Sequence, residues 1–235
     1  MNFFNRFSGL FFSPQEVFKA ISEKPVWVDA LVVLLIFTAV FSYIIGPYSQ
    51  KDGLQTMQNN IKLRERLGEE KFNQMIENMK NPSKTTLIIQ RIFIAPLSIG
   101  IGFVFSSLII FILGRFISVE GKFAQIFSAY LHANFIDKIL GNAIRLILII
   151  SRGSVIQTTT SIAFLFPKLE ITSPAYIILS QIDFFQLWLF GILGFGLSYV
   201  FKIEFKKALI ISYGFWLLKT VLYIVLGFLS LQFMG

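Results

Sequence analysis

Residues 182–233 read IDFFQLWLFGILGFGLSYVFKIEFKKALIISYGFWLLKTVLYIVLGFLSLQF. Two apolar runs, 182–201 and 208–233, are separated only by Lys202-Ile203-Glu204-Phe205-Lys206-Lys207. A hydrocarbon core about 30 Å thick is crossed by a helix of about 20 mainly apolar residues, and both runs reach that length. Inside lipid every backbone N–H and C=O must be satisfied within the segment, so such runs form helices. A connection this short forces the pair into an antiparallel hairpin.

Read outward from that hairpin, the chain offers three more spans. Residues 26–46 follow Pro25 and close at Gly46-Pro47, with Trp27 and Tyr48 where interfacial aromatics belong. Residues 87–117 exceed the length of one span and carry Pro96, which implies tilt, a kink, or an interfacial start before the proline. Residues 123–150 are the least apolar of the five. The expected fold is therefore all-α: a polytopic integral membrane protein with five transmembrane helices plus amphipathic interfacial helices. Its organisation is an amphipathic amino-terminal interfacial segment, 1–25, and a membrane domain, 26–235.

Composition points the same way. Of 235 residues, 55% are hydrophobic and 14% charged, against roughly 25% charged in soluble domains. The mean hydropathy is +0.70, and in water such a chain would leave large apolar patches uncovered. The absence of cysteine excludes disulfides, cysteine catalysis and cysteine-ligated metal centres. His132 is the single histidine, so no histidine-based metal site is expected. The net charge of +8 is spread through the loops between apolar runs. That pattern fits topology and anionic headgroups rather than nucleic acid.

No cationic start, short apolar region and small-residue cleavage site occur near the front, so the first 25 residues are expected in the mature protein. Within them Ser13-Pro14-Gln15-Glu16 reads as a capping box with proline at the first helical position. Val17, Phe18 and Ile21 share the apolar face of that helix, and Phe3, Phe4, Phe7, Phe11 and Phe12 precede it. The segment is expected either to anchor on the membrane surface or to lie against the first span. Residues 48–86 form the polar interfacial loop, with seven Lys or Arg and five Asp or Glu. Phe72, Met75, Ile76 and Met79 there describe one stripe of an amphipathic helix ending near Pro82, and Leu54, Met57 and Ile61 suggest another before Gly68. The density of Lys and Arg in the short loops favours an inside amino terminus and an outside carboxyl terminus.

Three stretches resemble the Yip family, the five-span Ypt/Rab-interacting proteins, in its bacterial form. They are residues 10–18, LFFSPQEVF, with Ile21 and Pro25-Val26-Trp27; residues 121–130, GKFAQIFSAY; and residues 182–188, IDFFQLW, continued by Gly194-Phe195-Gly196-Leu197, Lys207-Ala208 and Trp216. Pro14, Asp183, Phe185 and Trp188 are the residues on which the resemblance rests most heavily. It implies a non-enzymatic protein of the bacterial cytoplasmic (inner) membrane, since eukaryotic relatives associate with prenylated GTPases and with one another while some bacterial members accompany ABC-type exporters. The long acidic cytosolic region of the eukaryotic proteins is missing, so a small GTPase is not an expected partner.

Ionisable groups at membrane depth mark a site, a pair or a pathway. Asn134, Lys138, Asn142 and Arg145 fall on one helical face with Asp137 at its edge, and His132 points away from it. Two readings stand: a polar surface that receives a lipid phosphate or another anion, or a set in which Asp137 neutralises one cation while the other snorkels. Asp29 and Asp183 suit helix caps. Lys219, deep in the fifth span, is expected to pair with Asp29 or Asp183. Gly191, Gly194, Gly196 and Ser198 give the fourth span a small-residue packing face. The polar run Thr158, Thr159, Thr160 and Ser161 precedes an apolar stretch, 162–166, too short to span, which suggests a segment that dips into the interface or re-enters partway. The resemblance to the family, which has a comparable segment there, makes it a candidate lateral gate.

There is no phosphate loop, HExxH or GxSxG and no acid–base pair outside the membrane, so no enzyme and no cofactor is expected. The best reading is an accessory or scaffold subunit for other membrane components, with membrane lipids and other membrane proteins or further copies of itself as partners. The alternative is a lipid or small-anion transporter that uses the polar face of the third span.

Overall fold

The computed structural model describes residues 1–156 and 160–234. These are 82% helical without strands, the composition of an all-α membrane protein. Among the described residues four helices are long and apolar enough to cross a bilayer: Val28–Gln58, Lys84–Arg115, Phe184–Phe201 and Phe205–Leu231. Their outward faces carry Val32, Ile36 and Val40, then Phe105 and Ile112, then Leu218, Leu222 and Val225, all exposed and suited to lipid.

The chain opens with α1 (Phe3–Phe12) and α2 (Pro14–Glu23). The run of phenylalanines before Pro14 is thus itself helical. The expected capping box at Ser13 does not form. Ser13 closes α1 with its own N–H on the Gly9 carbonyl, 2.8 Å, and its side chain makes no cap bond. One residue serves both helix ends, and its backbone lies outside the extended region that aims an N-cap hydroxyl at the following turn. Of the two expected positions, lying against the first span is not what α2 does: it buries Val17, Phe18 and Ile21 against α8 (Phe123–Phe135) and α11 (Phe184–Phe201).

The first long helix, α3 (Val28–Gln58), does not end at Gly46-Pro47 but runs through it. A proline costs a helix one donor and a steric clash, yet a helix held by tertiary contacts bends around it. Two short helices follow, α4 (Ile61–Leu67) and α5 (Glu69–Lys80), with Phe72 and Ile76 buried beneath α5. The second span is α6 (Lys84–Ile88), a π-helical turn (Ile89–Ile94) and α7 (Ala95–Arg115) in direct succession. The wide turn sits immediately before Pro96, where the ring and missing N–H disturb the ladder.

The next 30 residues are also continuous: α8, a π-helical turn (Ile136–Gly141) and α9 (Asn142–Arg152). This rod is not among the four helices apolar enough to span alone, because its polar residues lower its hydropathy. It nevertheless runs alongside α3. Near its start the Ser128 hydroxyl donates to the Val26 carbonyl at 2.9 Å. Just past its end Asp52 of α3 accepts from Ser154 Oγ at 2.9 Å and from the Val155 N–H at 2.6 Å.

A 3₁₀ turn (Ile162–Leu165) and α10 (Pro174–Ser180) lead to the hairpin of α11 and α12 (Phe205–Met234), the most extensive helix pairing among the described residues. Lys202 closes α11 in the left-handed region, φ 52°. Helix α11 is central, with Leu189, Phe190, Leu193, Leu197 and Phe201 essentially inaccessible. Such packing in lipid rests on close van der Waals fit and small residues rather than on apolar burial alone. A Cβ on Gly196 would lie 2.9 Å from the Phe18 ring and 3.0 Å from Ala129, and one on Gly194 would press into Leu209 of α12.

Candidate polar site within the helix bundle

The rod 123–152 and the start of α11 bring four charges together. Asp137 is 1% exposed and receives Lys138 Nζ on Oδ2 at 2.9 Å and Arg145 Nη2 on Oδ1 at 2.9 Å. The same Nη2 lies 3.0 Å from Asp183 Oδ1. Arg145 Nη1 donates to Asn142 Oδ1 at 2.9 Å and Nε donates to Thr160 Oγ1 at 3.0 Å, while Thr160 donates to Asp183 Oδ2. The guanidinium lies over the Phe185 ring, 5.6 Å from its centre. Asp137 lies within the π-helical turn Ile136–Gly141, which shifts the helical register ahead of Arg145, a distortion frequent at functional sites.

Asp183 does two things at once. Its Oδ1 caps α11 by accepting the N–H groups of Phe185 at 2.9 Å and Gln186 at 3.2 Å. Its backbone pairs with the segment before the 3₁₀ turn, where Ile162 N–H donates to Ile182 at 2.9 Å and Phe184 N–H donates to Thr160 at 3.2 Å. The 3₁₀ turn and the residues just before it are thereby tied to the head of α11. Thr158 and Thr159 lie outside the described residues.

Other sequence-marked residues stand apart from this cluster. Asn134 donates to the Tyr130 carbonyl of its own helix at 2.8 Å. Lys219 does not pair with Asp29 or Asp183. Its Nζ donates to Gln186 Oε1 and sits 5.0 Å from the centre of the Phe190 ring. Both candidate acids have nearer cations, Arg6 for Asp29 and Arg145 for Asp183, so an amide at the facing position of α11 takes the ammonium instead. Trp188 packs edge-on against Phe11 of α1, with centres 6.0 Å apart, and Pro14 occupies the first position of α2. Gly191 faces Tyr213 of α12, and the Ser198 hydroxyl donates to Phe195 of its own helix.

A second buried knot was not visible in the sequence. Arg6 of α1 is 4% exposed; it pairs with Asp29 and donates from Nε to His132 Nε2 at 3.1 Å. The other ring nitrogen of His132 meets the Ser128 carbonyl at 2.8 Å, so the ring donates there and accepts from Arg6. The available signal was a lone arginine inside a phenylalanine-rich helix.

In chemical terms the main cluster is a closed ion-pair network: carboxylates, guanidinium and ammonium answer one another, with hydroxyl and amide groups taking remaining valences. Compared with known proteins, residues 8–227 match the family model described as the Yip1 domain, which takes in α2, the whole cluster and most of α12. No curated protein and no solved structure matches the chain.

Proposed function

Because the chain belongs to the Yip1 domain family, we propose that it acts as a non-enzymatic accessory or scaffold subunit for other membrane components, an ABC-type exporter among the candidates. One observation carries this reading: Arg145 is held by Asp137, Asp183, Asn142 and Thr160 together. A pathway needs its charges free to exchange partners in a wet cavity, whereas a scaffold can keep them as satisfied pairs. The exposed apolar faces of α3, α7 and α12 supply the surface on which lipid and neighbouring membrane proteins would sit.

The chain is read as crossing a bacterial cytoplasmic membrane five times, amino terminus inside and carboxyl terminus outside. The crossing of residues 123–152 is supported by their alignment with α3, from the Ser128–Val26 bond to the Asp52 contacts. A second reading, a lipid or small-anion transporter, is favoured by one feature. Lys138 is the most accessible charge of the cluster, its side chain 27% exposed.

Purification of the full chain in a mild detergent, with mass spectrometry of all co-purifying protein and lipid, tests the choice. Stoichiometric recovery of another membrane complex, retained in Lys138→Gln, is the expected result. Recovery alone or as a homo-oligomer, with one anionic lipid that is lost in Lys138→Gln, would overturn the scaffold reading in favour of transport.

A further inference from the structure

A cavity of about 780 Å³ lies between the latter half of α3, helix α5 and the π-helical turn before α7. It is remote in sequence from the Asp137–Arg145–Asp183 network and shares no residue with it. Arg91 and Lys71 supply its two cations, and Gln50, Gln74, Asn78 and Gln90 supply amides. Among the described residues no Asp or Glu lines it. Its walls straddle the point where apolar sequence begins: Pro82 and Thr86 stand at the polar start of the second span, and Gly46 to Gln50 are the turns in which α3 leaves its apolar run. That is the depth of lipid headgroups.

Arg91 is held in place for this cavity. Its guanidinium lies against the backbone of Gly46, so close that a Cβ there would collide with it. Its Nη2 faces Gln50 Oε1 at 3.4 Å, and the Gln50 amide is itself fixed by donating from Nε2 to the Met79 carbonyl at 3.1 Å. Among the described residues no carboxylate lies within salt-bridge distance of Arg91, unlike Arg6 and Arg145 in the bundle. Among the described residues Gln50 is the one hydrogen-bond partner shown for the guanidinium, so its planar fork keeps donors for a ligand.

We propose that this cavity binds an anionic phosphate group at the membrane boundary, gripped by Arg91 with Lys71 as the second cation and the amides as neutral donors. Phosphate is the acceptor whose geometry suits a guanidinium fork. The lack of any carboxylate leaves nothing to receive the ammonium of a zwitterionic headgroup, so an anionic lipid is preferred over phosphatidylcholine. The same chemistry would hold a soluble phosphate.

The full chain in phosphatidylcholine nanodiscs, probed with spin-labelled phosphatidylglycerol or spin-labelled phosphatidylcholine, tests the site. Phosphatidylglycerol should be retained preferentially. Arg91→Gln should weaken its retention about tenfold, the scale of one charged hydrogen-bonded pair. Gly46→Ala, which displaces the guanidinium without removing its charge, should do nearly the same, and Lys71→Gln should have a smaller effect. Lys80→Gln, whose exposed lysine pairs with Glu77 outside the cavity, should change nothing.

A soluble source has a different signature: inorganic phosphate raises the unfolding temperature of the unaltered chain but not of Arg91→Gln, and the two lipids are retained alike. Equal retention of both lipids, unmoved by all three cavity substitutions and accompanied by no phosphate protection, overturns the proposal. Gly46→Ala and Lys71→Gln keep the test decisive even where Arg91→Gln fails to fold.

Discussion

Arg145 and Asp183, 38 residues apart in sequence, meet at 3.0 Å and join the helical rod 123–152 to the head of α11. Each also has a second duty, Arg145 on the buried Asp137 and Asp183 as the cap of α11. The contact therefore couples the register of the rod to the start of the hairpin.

Removing Arg145 should be much more damaging than its partial exposure suggests. Arg145→Leu strips Asp183 of its ion pair and leaves the inaccessible Asp137 with Lys138 alone, and breaking a buried pair from one side costs about 3 kcal/mol or more. Thermal unfolding in detergent should show a large drop for Arg145→Leu. The triple change Arg145→Leu, Asp137→Asn, Asp183→Asn should recover part of it, since no unpaired carboxylate is left. A triple variant less stable than Arg145→Leu alone would refute the ion-pair account.

Arg6 should hold the amino-terminal helices on the bundle. It contacts both Asp29 and His132 from a nearly inaccessible position, and no other charge of α1 could replace it. Arg6→Leu should leave the apolar seat of α2 intact but loosen α1. Hydrogen exchange should rise by at least about tenfold across residues 3–12, the loss of roughly one charged hydrogen bond. Unchanged exchange there would mean that Phe3, Phe7 and Phe11 hold α1 by themselves.

Much of this architecture was legible in residue order, and the misreadings share a cause. The hairpin of α11 and α12 follows from hydropathy and a short charged link, properties local to the sequence. The stripe Phe72, Met75, Ile76 and Met79 likewise gave α5. Gly46-Pro47 misled because the same pair can end a helix or be carried inside one held by tertiary contacts, and the packing of Arg91 on Gly46 is such a contact. Arg6, Gln186 and Asp183 acquire their partners from helices 126, 33 and 38 residues away. No periodicity within one segment encodes such a pairing. The π-helical turns that shift register along the rod also defeat a wheel drawn at a constant angle.

Lys219 and Gln186 should be energetically coupled. The ammonium finds an amide rather than a carboxylate, and a hydrogen bond to a charged group contributes about 1.5 kcal/mol. A double-mutant cycle with Lys219→Leu and Gln186→Leu, read by thermal unfolding, should give a coupling of about 1 kcal/mol. The cycle of Lys219→Leu with Asp29→Asn should give none. The reverse pattern would restore the ion pair expected from the sequence.

The number of crossings can be decided with thiols, since the chain has no cysteine of its own. Glu23, Glu70, Glu120, Glu170 and Glu204 are all exposed, and each stands between or before the long helices. Lys202 and Glu120, 3.4 Å apart, fix the ends of α7 and α11 at one level. With five crossings, single cysteines at positions 23, 120 and 204 label from one side of sealed vesicles, and those at 70 and 170 from the other. If residues 123–152 lay in the interface without crossing, position 170 would label with 120, and 204 would move to the side of 70. The second outcome would refute the five-span arrangement, while leaving the four apolar spans in place.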